Sequence, residues 1–444
     1  MNKFIQTIKN IFSIEELRNR ILVTLGFLLV FRLGSYVVLP GVDPDKLEGA
    51  QGGLLDFINL FSGGAFSRAS VFALGIMPYI SASIVIQLLT VAVGYFQKLQ
   101  KEGESGRKRL NQITRFLTIA ITLFQSVAYI KGTIPNEAIL INSNFFLFAS
   151  MVLLTGGTVF CMWLGEKITE KGIGNGVSLL IMIGIVARFP DALWQESTLR
   201  GIDGLLIFFL EIFALFFVVV GTVLVIQAVR HVPMEYARQM VGGKGRRAAM
   251  GANPRSTLPL KVNAAGVMPI IFAQALMFLP PLIASAFRGE DTPTADYISQ
   301  RFADFTSWEY NLLFGVLIIL FTFFYTAITI NPQQIAEDLK RNNAYIPGVQ
   351  PGEETATHIS TIMDRITLPG AIFIAIIAIL PALAAAAGVG AQFAQFYGGT
   401  SLLIMVGVVL DTLQKIESYL LDKDYEGLMD GSAEGRTQPH LDVI

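Results

Sequence analysis

Long apolar stretches separated by polar connections recur along the chain, and ten of them match the roughly 20 residues a helix needs to cross a bilayer. Their cores lie near 21–39, 71–93, 116–130, 145–164, 176–189, 204–227, 262–285, 311–330, 367–388 and 399–420, the third and fifth being short. The pattern predicts an all-α, multi-pass membrane protein. The stretch ahead of the first core is amphipathic, carries Lys3, Lys9, Arg18 and Arg20, and has no small-residue cleavage site after it, so the first span is expected to be retained.

The second and seventh spans share a motif. Gly75-Ile76-Met77-Pro78 and Gly266-Val267-Met268-Pro269 occupy matching positions in two sets of five helices. Because five is odd, the sets must run in opposite senses, which predicts an inverted repeat with Gly/Pro-interrupted helices facing a pathway between the halves.

Composition agrees: 53% of residues are hydrophobic and 15% charged, against about 25% charged in soluble chains. A net charge of −1 says nothing about partners, but 24 of the 33 Lys and Arg fall on one side if the N-terminus is cytoplasmic. The positive-inside rule then places both termini in the cytoplasm. One cysteine, Cys161, and three histidines leave no material for an intrachain disulfide or a His/Cys metal cluster, and no cofactor is called for.

Segment 54–70 is too short to span. Leu54, Leu55, Phe57, Ile58, Leu60 and Phe61 have helical spacing, and Gly63-Gly64 stops it; it reads as a re-entrant helix or as one lying on the outer surface. Polar candidates near the midplane are few: Arg32, Glu211, Asp411, Gln87, Asn263 and Gln274. The interrupted helices instead offer Ile76, Ile80, Ile181, Ile271 and Ile404, aliphatic side chains of the kind that gate by excluding water, although periodicity alone does not select these five. A secondary solute transporter with an inverted five-plus-five repeat is the rival reading, and it needs a specific solute site. An intramembrane enzyme lacks its constellation: the spans hold no HExxH, Gly-x-Ser-x-Gly or paired-Asp motif.

Two connections exceed a minimal turn. Loop 229–261 has seven Lys/Arg, among them Arg238, Lys244, Arg246, Arg247 and Arg255, against Glu235 alone, a charge suited to RNA phosphates or anionic lipid heads. Loop 331–366 holds Lys340 and Arg341 but is net acidic by two charges, which points to a protein partner.

The blocks FSGGAFSRASVFALGIMPYISASIVIQLLT, KEGESGRKRLNQITR, MWLGEKITEKGIGNGVSLLI, LPLKVNAAGVMPIIFA, FFYTAITINPQQIAEDLKRNNAYIPG and FYGGTSLLIMVGVVLDT resemble the SecY family, the channel subunit of the bacterial protein translocase, over about residues 15–427. The resemblance implies ten transmembrane helices in two inverted five-helix halves, a clamshell with a central pore and a short plug helix. It divides the chain into a cytoplasmic amphipathic segment (1–20), a first half (21–189), a hinge and outer loop (190–203), a second half (204–420) with docking loops 229–261 and 331–366, and a cytoplasmic tail (421–444). Segment 54–70 would be the plug, with Leu54, Phe57, Ile58, Phe61, Gly63, Gly64 and Arg68 as its candidate residues. Ile76, Ile80, Ile181, Ile271 and Ile404 fall where the family places its constriction ring, and helices 2, 3, 7 and 8 would form a lateral gate. The implied partners are SecE and SecG in a heterotrimer, the SecA ATPase, the ribosome and its RNA, nascent polypeptides and signal sequences, accessory Sec membrane subunits and YidC, in the bacterial plasma membrane. Arg238, Lys244, Arg246, Arg247, Arg255, Lys340, Arg341 and Gln350 would dock the ribosome or SecA. Gln350 departs from the family, whose members commonly carry arginine there, so motor coupling is expected to use another contact such as Arg246 or Arg247.

Overall fold

The computed structural model describes residues 14–43, 46–47, 62–201, 204–236, 256–277, 301–302 and 304–429. The first half consists of α1 (Glu15–Gly34), α2 (Met77–Ala92), α3 (Gly94–Lys101), α4 (Glu104–Thr133), α5 (Ser143–Lys171) and α6 (Gly176–Arg200). The second begins with α7 (Leu205–Gln227), followed by strands β1 (Val229–Tyr236) and β2 (Ser256–Lys261). It continues through α8 (Met268–Met277), α9 (Trp308–Thr329), α10 (Pro332–Arg341), β3 (Ala344–Tyr345), α11 (Glu353–Ala386), α12 (Ala391–Ala394) and α13 (Gly399–Met429). Among the described residues seven helices are long and apolar enough to cross a membrane, and α2 with α3, bent by 99° at Val93, makes an eighth. With α1 and α8 added, each of the ten predicted spans has its helix.

Helix starts follow local chemistry. Asn142, Asn175 and Asn331 cap α5, α6 and α10 with side-chain oxygens that accept backbone N–H groups of the first turn, the groups a helix leaves unpaired. Between α5 and α6 the chain turns through Gly174, at φ +87°, and Gly176, where a Cβ would sit 2.0 Å from the Gly165 carbonyl oxygen. Only glycine lets the two helices approach that closely.

The interrupted helices obey the repeat. Residues 71–76 and 262–267 are each six residues of turn, followed by α2 and α8. Gly75 has φ +50° and Gly266 φ +64°, while Pro78 and Pro269 both fall in the first helical turn, where the missing N–H costs nothing. The predicted spans at 71–93 and 262–285 therefore begin as irregular backbone.

Each half has its own apolar core. Leu39, Phe66, Ala73, Tyr129, Phe146 and Leu154 pack in the first, and Ile270, Phe314, Ile318, Ile374, Ala375 and Leu403 in the second. A third cluster lies between them. Along α4 the buried Thr114, Thr118 and Thr122 recur every fourth residue and turn their hydroxyls back to carbonyls at positions 110, 114 and 118, so this face is small and its polar atoms are satisfied.

Two sequence expectations change in detail. Span 5, expected to end near 189, stays helical to Arg200 with Pro190 inside it; proline removes one backbone donor, and buried Ala192 and Glu196 hold the turns beyond it. The first docking connection is not all loop. Its two ends pair as an antiparallel hairpin with Val229 opposite Lys261 and Met234 opposite Ser256, and β1 pairs on its other side with β3. The resulting sheet, ordered β2-β1-β3, packs Val232 and Leu260 against Leu339, Ile346, Ile359 and Met363, joining both long connections into one body on α10 and α11.

Candidate functional site

The five isoleucines meet. Ile76, Ile181 and Ile404, at 6%, 7% and 3% exposure, belong to the cluster between the halves, and half-buried Ile80 and Ile271 pack against it. Ile76 caps α2 and Ile80 lies one turn in; Ile271 lies in the first turn of α8. Ile181 and Ile404 are each the sixth residue of their helices, in Gly176-Val-Ser-Leu-Leu-Ile181 and Gly399-Thr-Ser-Leu-Leu-Ile404. Under the inverted repeat Ile80 and Ile271 are equivalent, as are Ile181 and Ile404, and Ile76 corresponds to Val267, which also packs on the cluster. The second shared motif, Ser-Leu-Leu-Ile, carries a repeat signal that sequence reasoning missed, as it missed the place of Val267 at the cluster.

Phe31, Ile76, Met77, Ile80, Leu180 and Ile181 line a small cavity at this point. The six lining side chains are all apolar, so a file of water here would meet no charged or strongly polar side chain. Such a junction blocks ions by dewetting and yields to an apolar or flexible chain that spreads the side chains.

Of the plug candidates, Leu54, Phe57, Ile58 and Phe61 lie outside the described residues. Gly63, Gly64 and Arg68 lie in a tightly held turn segment. Gly63 has φ +63°, its carbonyl accepts the Arg32 guanidinium at 2.8 Å, and a Cβ there would be 3.1 Å from the Gly184 Cα of α6. Arg32 also donates to the Tyr36 hydroxyl at 2.8 Å, and the Tyr36 ring carries Arg32 and Arg68 at 4.8 and 4.3 Å from its centre, each a favourable cation–π contact. Farther along, the Tyr129 hydroxyl donates to the Phe66 carbonyl at 2.6 Å, and backbone bonds Leu39 N to Ala69 O and Val71 N to Val37 O pin the segment to the chain after α1. Residues 62–70 thus rest on α1, α4 and α6 at once.

Beside the constriction, α2 meets α8 and α9. Ile84, Ala265, Phe272 and Tyr325 are buried together, with Ile80, Ile271, Phe321 and Phe324 around them, and the Phe272 and Tyr325 rings lie edge to face at 4.8 Å. The seam is apolar and continuous with the constriction through Ile80 and Ile271.

The three charged midplane candidates do not assemble into a solute site. Arg32 binds the Gly63 carbonyl, Glu211 pairs with Arg200, and Asp411 is exposed. On the sheet body, Lys340, Arg341 and Gln350 are exposed, with the Gln350 carbonyl accepting the Thr355 hydroxyl at 2.7 Å at the start of α11. The Tyr345 hydroxyl donates to Glu235 at 3.0 Å, and that bond to a carboxylate pushes its pKa up. Arg238, Lys244, Arg246, Arg247 and Arg255 lie outside the described residues. Among the described residues no group of His, Cys, Asp and Glu could hold a metal ion.

Comparison with known proteins gives consistent likenesses. The family model SecY matches residues 70–413. Protein translocase subunit SecY of Halalkalibacterium halodurans is 42% identical over 440 residues, covering 96% of this chain and 99% of that protein. Among solved structures, one described as a protein conducting channel superposes with a TM-score of 0.63 at 16% identity, over 94% of this chain and 95% of that one. Sec61 in the canine ribosome-channel complex from the endoplasmic reticulum superposes with a TM-score of 0.59 at 16% identity, with the same coverage.

Proposed function

The chain belongs to the SecY family, and from that premise we propose how its parts divide the work of a protein-conducting channel. The protein is the channel-forming subunit of the protein translocase and a multi-pass membrane protein. The observation that carries its mechanism is the convergence of Ile76, Ile80, Ile181, Ile271 and Ile404, from both halves, on one apolar cluster. These five form the constriction ring. An unfolded chain passes through it while the side chains close around the backbone, and water and ions are held back because the lining side chains are apolar.

Segment 54–70 is the plug, seated by Arg32, Arg68 and the Gly63–Gly184 contact. The halves, 21–189 and 204–420, hinge at 190–203, and the seam of Ile84, Phe272 and Tyr325 is the lateral gate through which signal sequences and membrane segments reach lipid. Energy comes from outside. The ribosome, which the related Sec61 channel binds, docks on the sheet body and its basic connection, and SecA is the alternative motor; SecE and SecG complete the heterotrimer in the bacterial plasma membrane, with both termini cytoplasmic.

Proteoliposomes carrying this heterotrimer, given SecA, ATP and a radiolabelled precursor, should shelter full-length precursor from added protease. Saturable, gradient-coupled uptake of a small solute without precursor protection would favour the secondary transporter instead. Reversing the charge at Arg246 and Arg247 to Glu is expected to weaken ribosome binding and flatten its dependence on salt, since each phosphate contact contributes about 0.7–0.9 to the slope of log affinity against log salt. An unchanged salt titration would exclude these residues from docking.

A further inference from the structure

At the end of the molecule away from the sheet, the halves are joined by charged and backbone groups rather than by apolar packing alone. Arg200, the last residue of α6, lies 3.1 Å from Glu196 one turn earlier, pairs with Glu211 of α7, and donates to the Gly388 carbonyl at 2.7 Å. Glu196 in turn accepts the Gly390 N–H at 2.9 Å, and the Tyr397 hydroxyl donates to the Glu211 carbonyl at 2.5 Å. Both acids are buried, Glu196 at 2% and Glu211 at 7% exposure. Glu196 and Arg200 lie on α6, whereas Glu211, Gly388 and Gly390 belong to the second half. Three of these contacts therefore cross between the halves. The fit at Gly390 is close, since a Cβ there would lie 2.3 Å from the Glu196 carboxylate.

We propose that this Glu196–Arg200–Glu211 tie, closed on the 388–390 turn, clamps the angle between the halves in the shut channel, with Arg200 as its positioning residue. A buried ion pair adds little net stability but fixes geometry sharply, because charge-assisted hydrogen bonds tolerate only a few tenths of an ångström and a narrow range of angles. Rotating one half about the α6–α7 connection strains all three crossing contacts together. Removing them raises the population of the open arrangement, in which they are not made. Continuity reinforces the point: α11 runs unbroken over 34 residues from the sheet body to this turn, about 50 Å at 1.5 Å per residue, so a pull on the docking face reaches the tie through a single helix.

The inference rests on the channel reading with its hinge narrowed from 190–203 to the connection after Arg200, since α6 stays helical to that residue, and the test separates the two. Full heterotrimer is reconstituted in proteoliposomes and client-free iodide efflux is measured. Arg200→Ala, which removes two of the three crossing contacts, should raise efflux at least about tenfold. Arg200→Lys, which keeps the charge but not the planar fork, should fall between parent and alanine. Gly390→Ala, which displaces the Glu196 carboxylate without touching Arg200, should also raise efflux. Parental efflux in both Arg200→Ala and Gly390→Ala would overturn the proposal. If Arg200→Ala does not assemble, Gly390→Ala and Glu211→Gln decide it on the same readout. The parent is also tested for passage of a ribosome-held chain: its failure would remove the channel reading, while parental passage with variants as tight as parent would remove the tie alone.

Discussion

Ile404→Asp should convert the resting channel from an ion seal into a leak, and among single substitutions at the constriction its effect should be among the largest. Ile404 is 3% exposed and packed among apolar side chains. Burying a carboxylate against such neighbours costs several kcal/mol. The site can lower that cost only by admitting water, and a wetted constriction conducts. Ile404→Val removes one methylene, costs about 1 kcal/mol, and keeps the wall apolar, so it should seal like the parent. Single-channel recordings in planar bilayers, without client, compare the two. Equal conductance for both variants would mean that the seal lies elsewhere.

Gly63→Val should unseat the plug segment. Gly63 sits at φ +63°, and a Cβ there would lie 3.1 Å from the Gly184 Cα, so valine meets two penalties: a β-branched residue in the left-handed region and a backbone neighbour that cannot bend away. Together these cost about 3 kcal/mol, enough to shift the seated population about a hundredfold. Labelling rates follow it directly. Ala65, 0% exposed, is replaced by cysteine as the reporter, and the native Cys161 is fully buried and silent. Maleimide should react much faster at position 65 in the Gly63→Val background than in the reporter alone. Equal rates would show that seating does not depend on this contact.

The span pattern was readable because lipid allows few alternatives: every buried backbone group must be paired within a helix, so about twenty apolar residues in a row carry the fold. The repeat was readable where it needs special backbone, at Gly75 and Gly266 with their following prolines. The identity of the constriction was not readable from periodicity. Ile207 on α7 is 48% exposed and Ile181 on α6 is 7% exposed, yet both are isoleucines in apolar runs; only the crossing of α2, α6, α8 and α13 distinguishes them, and family resemblance supplied that distinction beforehand. Contacts between distant segments escaped for the same reason. Arg32 finds the Gly63 carbonyl 31 residues away, and Arg200 finds that of Gly388 across 188. The hairpin 229–261 reads as a basic loop because its strands carry prolines at Pro233 and Pro259, which weaken any strand signal; Pro259 is tolerated on the edge strand β2, and Pro233 lies one pair from the end of the β1–β2 ladder.

Translocation requires a polypeptide to pass between the five isoleucines. A photo-crosslinking amino acid is placed at Ile181 or Ile271, with outward-facing Leu206, 84% exposed, as the control position, and a ribosome-stalled secretory chain long enough to reach mid-membrane is supplied. Adducts with the nascent chain that form at 181 and 271, require an intact signal sequence and are absent at 206 are the predicted result. With ribosome binding and chain length verified, no adduct at either ring position would contradict the account.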